Sequence, residues 1–129
     1  MVDLNAKDKI LVLIADDEEN LLVLLKDNLE ERGFEVNVAA DGEEALESVT
    51  AEKPNIIILD VEMPKLNGWQ VCEKIRANPN LKDVPVIILS AYAQPEHIKR
   101  GLQAGANLYM TKPFKMDELE DNLRKLLKK

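Results

Sequence analysis

A single cysteine, Cys72, is all the chain contains. No disulfide can form within it and no cysteine cluster can hold a metal, and a reducing compartment, the cytoplasm, is the simplest home. Positive charge is in the minority: 17 Lys and Arg against 24 Asp and Glu give a formal net charge of −7. That balance opposes direct binding to nucleic acid or to an anionic membrane and favours proteins, metal ions or small phosphates as partners. Long apolar runs are missing as well. The longest, Ile10 to Ala15, cannot cross a bilayer, and the stretch Met1 to Lys9 lacks the apolar core of a signal peptide. The sequence also has no repeats, low-complexity tract or linker. What is present is 129 residues, 46% of them hydrophobic, enough for one domain spanning 1–129 and too few for a second core.

The organising stretch is Asn55-Ile56-Ile57-Ile58-Leu59-Asp60, an unbroken apolar run that delivers one carboxylate at its far end. Bounded by Pro54 and by Met63-Pro64, it is too short for a free-standing helix and fits a strand buried on both faces, as in a parallel sheet. Ile10 to Ala15 reads the same way and ends in the acidic cluster Asp16-Asp17-Glu18-Glu19, which opens a helix stopped by Gly33. Phe34 to Val38 alternates apolar with polar, the pattern of a half-solvated or edge strand. Asp41 with Glu44 and Asn67 with Gln70 form N-terminal caps of two further helices. The first of these carries Ala45, Leu46 and Val49 inward, and the second Trp69, Cys72 and Ile75. Pro85 to Leu89 is another apolar strand ending at Ser90. Pro95 starts a fourth helix that carries Ile98 and Leu102 inward and stops near Gly105. Asn107 to Met110 is a short last strand, and the closing helix buries Met116, Leu119, Leu123, Leu126 and Leu127.

Five strands alternating with five helices define an α/β class with one doubly wound parallel sheet. The orders 3-2-1-4-5 and 2-1-3-4-5 compete, and they differ in which strand occupies an edge. The alternating second strand suits the edge and the fully apolar third suits the interior. This selects 2-1-3-4-5, with a crevice between strands one and three. There the strand ends bring Asp16, Asp17 and Asp60 together, Ser90 beside them and Lys112 beyond. Crowded carboxylates raise each other's pKa unless a cation compensates, and oxygen ligands on short loops suit Mg2+. Each residue alone has an ordinary role, as a helix-end charge, a cap or a surface lysine. A metal, a lysine and a hydroxyl around one carboxylate form a site in which that carboxylate could attack phosphorus.

Asp16-Asp17, Leu59-Asp60 followed by Met63-Pro64 and Gly68, Ser90-Ala91, and Tyr109 three residues before Lys112-Pro113-Phe114 closely resemble the receiver domain of two-component response regulators of the chemotaxis type. The resemblance covers essentially the whole chain and implies a flavodoxin-like fold, either as a stand-alone receiver or as the receiver portion of a longer protein. It implies a phosphorylation-activated signalling switch and no enzyme beyond catalysis of its own phosphorylation and dephosphorylation. By that resemblance, Asp60 accepts a phosphoryl group from a histidine kinase or histidine phosphotransfer protein. Asp17 and Asp60 ligate Mg2+ with the Glu62 main-chain carbonyl, and Asp16 acts through water. Lys112, reached through a cis bond to Pro113, pairs with a phosphoryl oxygen. Ser90 is drawn to the phosphate, and Tyr109, outward or mobile beforehand, turns into the vacated space. The face formed by helix four, strand five and helix five then changes for an unknown downstream protein target. Glu62 and Tyr92 overlook the site and tune the phosphate lifetime. Asn107-Leu108 lacks the acidic residues that DNA-binding members use to dimerise, so a monomer or weak dimer is expected.

In the first helix, taking Leu21, Leu24, Leu25 and Leu29 as the buried stripe leaves Val23 on the far side and Leu22 at the margin. The resemblance makes that far side a docking surface for the phosphodonor. His97 reads as a solvated helix residue, Cys72 and Trp69 as core, and Arg124, Lys125, Lys128 and Lys129 as charges complementing a helix end. Two other readings compete. A haloacid dehalogenase-like phosphatase would use Asp60 as nucleophile and Glu62 as general acid, but its nucleophile ends the first strand. A flavin-binding module would need a phosphate loop where this chain has Asp16-Asp17-Glu18-Glu19.

Overall fold

In the computed structural model, which describes residues 9–128, the apolar runs that end at Ala15, Leu59 and Leu89 are strands and each capped segment is a helix. The elements are β1 Leu11–Ala15, α1 Glu19–Glu31, β2 Glu35–Ala39, α2 Gly42–Ala51, β3 Ile56–Leu59, α3 Gly68–Ala77, β4 Val86–Ser90, α4 Pro95–Gln103, β5 Leu108–Thr111 and α5 Met116–Leu127. The five strands are parallel and ordered β2-β1-β3-β4-β5, as the apolar patterning requires. Met1 to Asp8, and Lys129 of the basic cluster, lie outside the described residues.

Successive residues of a strand point to opposite faces, so β1, β3 and β4 feed two cores at once. Leu13, Ile57, Leu59 and Ile88 pack with Ala45 and Val49 of α2, Val71, Cys72 and Ile75 of α3, and Ala104 just past α4. Val12, Ile14, Ile58 and Leu89 pack with Leu22, Leu25 and Leu29 of α1 and Leu119 and Leu123 of α5. The helix ends follow from local chemistry. Gly33 takes φ +99 after α1, and the amides of Gly33 and Phe34 donate to the carbonyls of Glu30 and Leu29, closing the helix as a left-handed residue allows. Asn67 and Gln70 form a reciprocal capping box at α3, and Asp41 accepts from the Glu44 amide at α2.

Two expected inward positions, Leu24 and Leu102, are exposed, and Leu21, Leu46, Trp69, Ile98, Met116, Leu126 and Leu127 are only half-buried. In α1 the stripe is Leu22, Leu25 and Leu29, while Leu24 is 53% exposed beside Val23 at 55%. Five consecutive apolar residues cover every direction of a helix, so only the sheet's position chooses among them. In α4 Leu102 is 46% exposed and Ile98 half-buried, because the helix approaches the sheet through Gly101, its one buried residue. Trp69 is half-buried at the rim of the core, not within it. Its ring is tilted against that of Tyr92 and stacked with that of His97, with centroids 6.4 and 6.2 Å away. His97 is accordingly not a solvated residue. Its ring lies 4.7 Å from that of Tyr92, and its Nδ1 is buried without a hydrogen-bond partner among the described residues.

Candidate functional site

Strand register assembles the site. Ala15 pairs with Leu59 across β1 and β3, and the next residue on each strand is a carboxylate, Asp16 and Asp60. The Asp60 amide donates to the Ala15 carbonyl at 2.9 Å. Ser90 pairs with Thr111 across β4 and β5, and the Lys112 amide donates to the Ser90 carbonyl at 2.8 Å. Four strand ends therefore present Asp16, Asp60, Ser90 and Lys112 at one edge of the sheet, the place where open α/β sheets hold ligands. Asp16, Asp60 and Ser90 are buried, while Asp17 and Glu62 are exposed. Asp60 is fixed from beneath by Gly68, whose missing side chain leaves room for the Asp60 carbonyl and whose amide donates to Val61.

Carboxylate oxygens of Asp16, Asp17 and Asp60 lie within 4.8 Å of one another. Burial, then the neighbouring Asp16 charge, push the Asp60 carboxyl up to about 6, although Lys112 and the Val61 amide pull the other way. Three carboxylates crowded at the end of the sheet, with Asp60 shifted upward by its neighbours, fit a divalent cation held by oxygen. The Lys112 ammonium lies 2.8 Å from Asp16 and 3.8 Å from Asp60. Burial works against its charge, but the Asp16 hydrogen bond and the charges of Asp60, Asp16 and Glu18 outweigh that and raise it. Its bond to Pro113 is cis, as expected. The lysine is thus paired with Asp16, which the sequence reading left to a water-mediated role.

Ser90 Oγ accepts from the Tyr92 amide at 3.0 Å. Tyr109 is half-buried and its hydroxyl donates to the Tyr92 carbonyl at 2.7 Å, so the ring is turned inward where an outward or mobile ring was expected. An enclosed phenol needs an acceptor, and this carbonyl provides one. A hydrogen bond to Glu62 raises the Tyr92 phenol, with burial and the Glu62 charge adding to it. Glu62, Tyr92, Asp17, Met63, Asn67 and Trp69 line a cleft of about 390 Å3 beside the carboxylates.

The sequence profile of the response regulator receiver domain matches residues 12–124. The chain belongs to that family. The transcriptional regulatory protein PhoP for alkaline phosphatase synthesis in Bacillus subtilis strain 168 is 41% identical over 118 residues, 92% of this receiver and 48% of PhoP. PrrA of Mycobacterium tuberculosis is 43% identical over 118 residues, 92% and 50% of the two chains. The receiver spans about half the length of the curated relatives it matches. A putative response regulator from Chloroflexus aurantiacus superposes with TM-score 0.90 at 34% identity, covering 95% of this receiver and 100% of that chain. The receiver domain of a Pseudomonas aeruginosa sensor histidine kinase superposes with TM-score 0.87 at 31% identity over 94% and 99%, and holds a magnesium ion in its active-site cleft. Receivers are signalling switches, not turnover enzymes. No helix among the described residues is long and apolar enough to cross a membrane.

Sequence reasoning missed Gly101 and Arg76. It also missed the grouping of Trp69, Tyr92 and His97. These three come from different elements, so no spacing along the chain signals their grouping.

Proposed function

We propose that residues 1–129 act as one cytoplasmic receiver that takes a phosphoryl group on Asp60 from a histidine kinase or histidine phosphotransfer protein. The observation that carries this is the buried Asp60 carboxylate with its pKa near 6, packed against Asp16 and Asp17 and within reach of Lys112. An Asp60 oxygen forms the O–P bond as the donor's N–P bond breaks. Asp17, Asp60 and the Glu62 main-chain carbonyl would hold Mg2+, with Asp16 acting through water. When bound, Mg2+ supplies positive charge that offsets the carboxylates and the phosphoryl oxygens. Lys112 exchanges part of its pairing with Asp16 for a phosphoryl oxygen, and Ser90 gives up the Tyr92 amide to donate to another. Glu62 and Tyr92, both lining the cleft, limit access of water and set how long the phosphate survives.

Ser90 and Tyr109 then shift a population between two states of the α4, β5 and α5 face, which meets a downstream protein. On that face Ile98 and Leu102 line an apolar cleft of about 600 Å3 with Pro95, Lys99 and Gln103. The same switch would serve a stand-alone receiver of the chemotaxis type and the receiver portion of a longer regulator. Nothing in this reading requires nucleic acid, a membrane or more than a weak dimer of the receiver itself.

Incubation with acetyl phosphate and Mg2+ is expected to raise the intact mass by roughly 80 Da, with no gain in Asp60→Asn, which keeps the shape but loses the nucleophile. Equal labelling of the variant would refute the assignment.

The phosphodonor is assigned to the exposed side of α1, where Leu24 joins Val23. Leu24, with Leu21, Phe114, Met116 and Pro113, walls an apolar groove of about 280 Å3 that runs to Lys112. Leu24→Glu is expected to slow transfer from the cognate kinase tenfold or more and to leave labelling by acetyl phosphate intact. Val23→Glu, farther from the groove, should do less. A Leu24→Glu protein with unchanged kinase transfer would remove the groove from the interface.

A further inference from the structure

Gly101 sits inside α4, where glycine is the poorest residue short of proline. It is not there for its backbone, since the positive-φ glycines among the described residues are Gly33 and Gly105. Its reason is steric. A Cβ at this position would lie 2.7 Å from Tyr109 Cδ2, 2.9 Å from Tyr109 Cε2 and 2.9 Å from Ile88 Cδ1. The Ile88 methyl is the far end of a flexible side chain and can rotate away. The Tyr109 ring cannot retreat as easily, because its hydroxyl is held at 2.7 Å by the Tyr92 carbonyl.

We propose that Gly101 is a positioning residue for the switch, the missing side chain forming the notch in which the inward Tyr109 ring is seated. A methyl group there expels the ring and cuts the link from Ser90 to α4 without touching the carboxylates. The seat is open in the unphosphorylated chain, so the inward state is available beforehand and phosphorylation changes its population. This rests on the reading of Tyr109 as the switch residue given above.

The test places Gly101→Ala in the parent chain, in Tyr109→Ala and in Ile88→Val, and measures each folding equilibrium by urea denaturation. With Tyr109 truncated, the alanine should raise the folding constant about two- to fivefold, the ordinary gain of alanine over glycine in a helix. With Tyr109 present the gain should disappear or reverse, a coupling of about fivefold or more. In the parent and in Gly101→Ala, acetyl phosphate should label Asp60 equally, while beryllofluoride should move the Tyr109 ring resonances in the parent and not in Gly101→Ala. An equal gain in both Tyr109 backgrounds, or a coupling that follows Ile88→Val instead of Tyr109→Ala, overturns the seat while parental labelling leaves the phosphorylation reading standing. A parent that fails to label overturns that reading and, with it, the seat's role in a switch.

Discussion

Asp60→Asn is expected to stabilise the receiver in metal-free buffer at pH 7.5 by about 2–3 kcal/mol, an unusually large gain for one substitution. The folded carboxyl titrates near 6 and its ordinary value is 3.8, for reasons of burial first and of Asp16 second. A carboxylate whose folded pKa is raised holds its proton longer in the folded chain than in the unfolded one. Stability is therefore lost as the pH rises from about 4 to about 6, at roughly 1.4 kcal/mol per unit, and the full penalty persists above that window. Asparagine keeps an oxygen for the Val61 amide, which Asp60 Oδ1 now accepts at 2.8 Å, and carries no charge to bury. The gain should shrink toward zero as the pH falls to 4. Mg2+ should narrow it from the other side, because a cation that binds the folded carboxylates stabilises the parent and has less to hold in the variant. Urea denaturation of both proteins between pH 4 and 8, with and without Mg2+, measures this. Parallel stability profiles would show that Asp60 carries no such strain.

Arg76→Ala should be as costly as Asp60→Asn is favourable, by about 2–4 kcal/mol, or roughly 10 °C in melting temperature. The guanidinium donates from Nε to the Gly105 carbonyl at 2.9 Å and from Nη1 to the carbonyls of Val84 at 2.7 Å and Lys82 at 2.9 Å. Nη2 donates to Asn107 Oδ1 at 2.8 Å, an oxygen that also accepts the Val86 amide. One side chain thereby ties the end of α3 to the entry of β4 and to the turn between α4 and β5. Gly105 keeps this contact possible, since a side chain there would strike the stem of Arg76. Truncation leaves partly buried carbonyls without donors, which costs more than the bonds contributed. Arg76→Lys should recover little, because an ammonium cannot span a fork of four acceptors. Melting of the lysine variant within a degree or two of the parent would count against the clamp.

The sequence by itself determined the strands, their order and the carboxylate that the proposed chemistry rests on. Ile56 to Leu59 and Leu11 to Ala15 are apolar throughout because both faces of those strands are covered, and that demand leaves few placements in a parallel sheet. Once the order is set, residues just past paired strand ends must be neighbours, so Asp16 and Asp60 meet by backbone geometry alone. Lys112 and Ser90 follow by the same rule. The tertiary structure decided what several competing side chains share. In α1 and α4 more apolar residues are present than one stripe can bury, and helical periodicity gives their spacing without naming the stripe. The sheet lies so close to α4 that only Gly101 fits beneath it, which turns Leu102 out to solvent. Tyr109 is drawn inward by the same opening, Lys112 is taken by the nearer carboxylate of Asp16, and Arg76 finds acceptors on two separate segments. Each of these outcomes depends on distances between elements far apart in the chain, and such distances arise only when the helices have settled on the sheet.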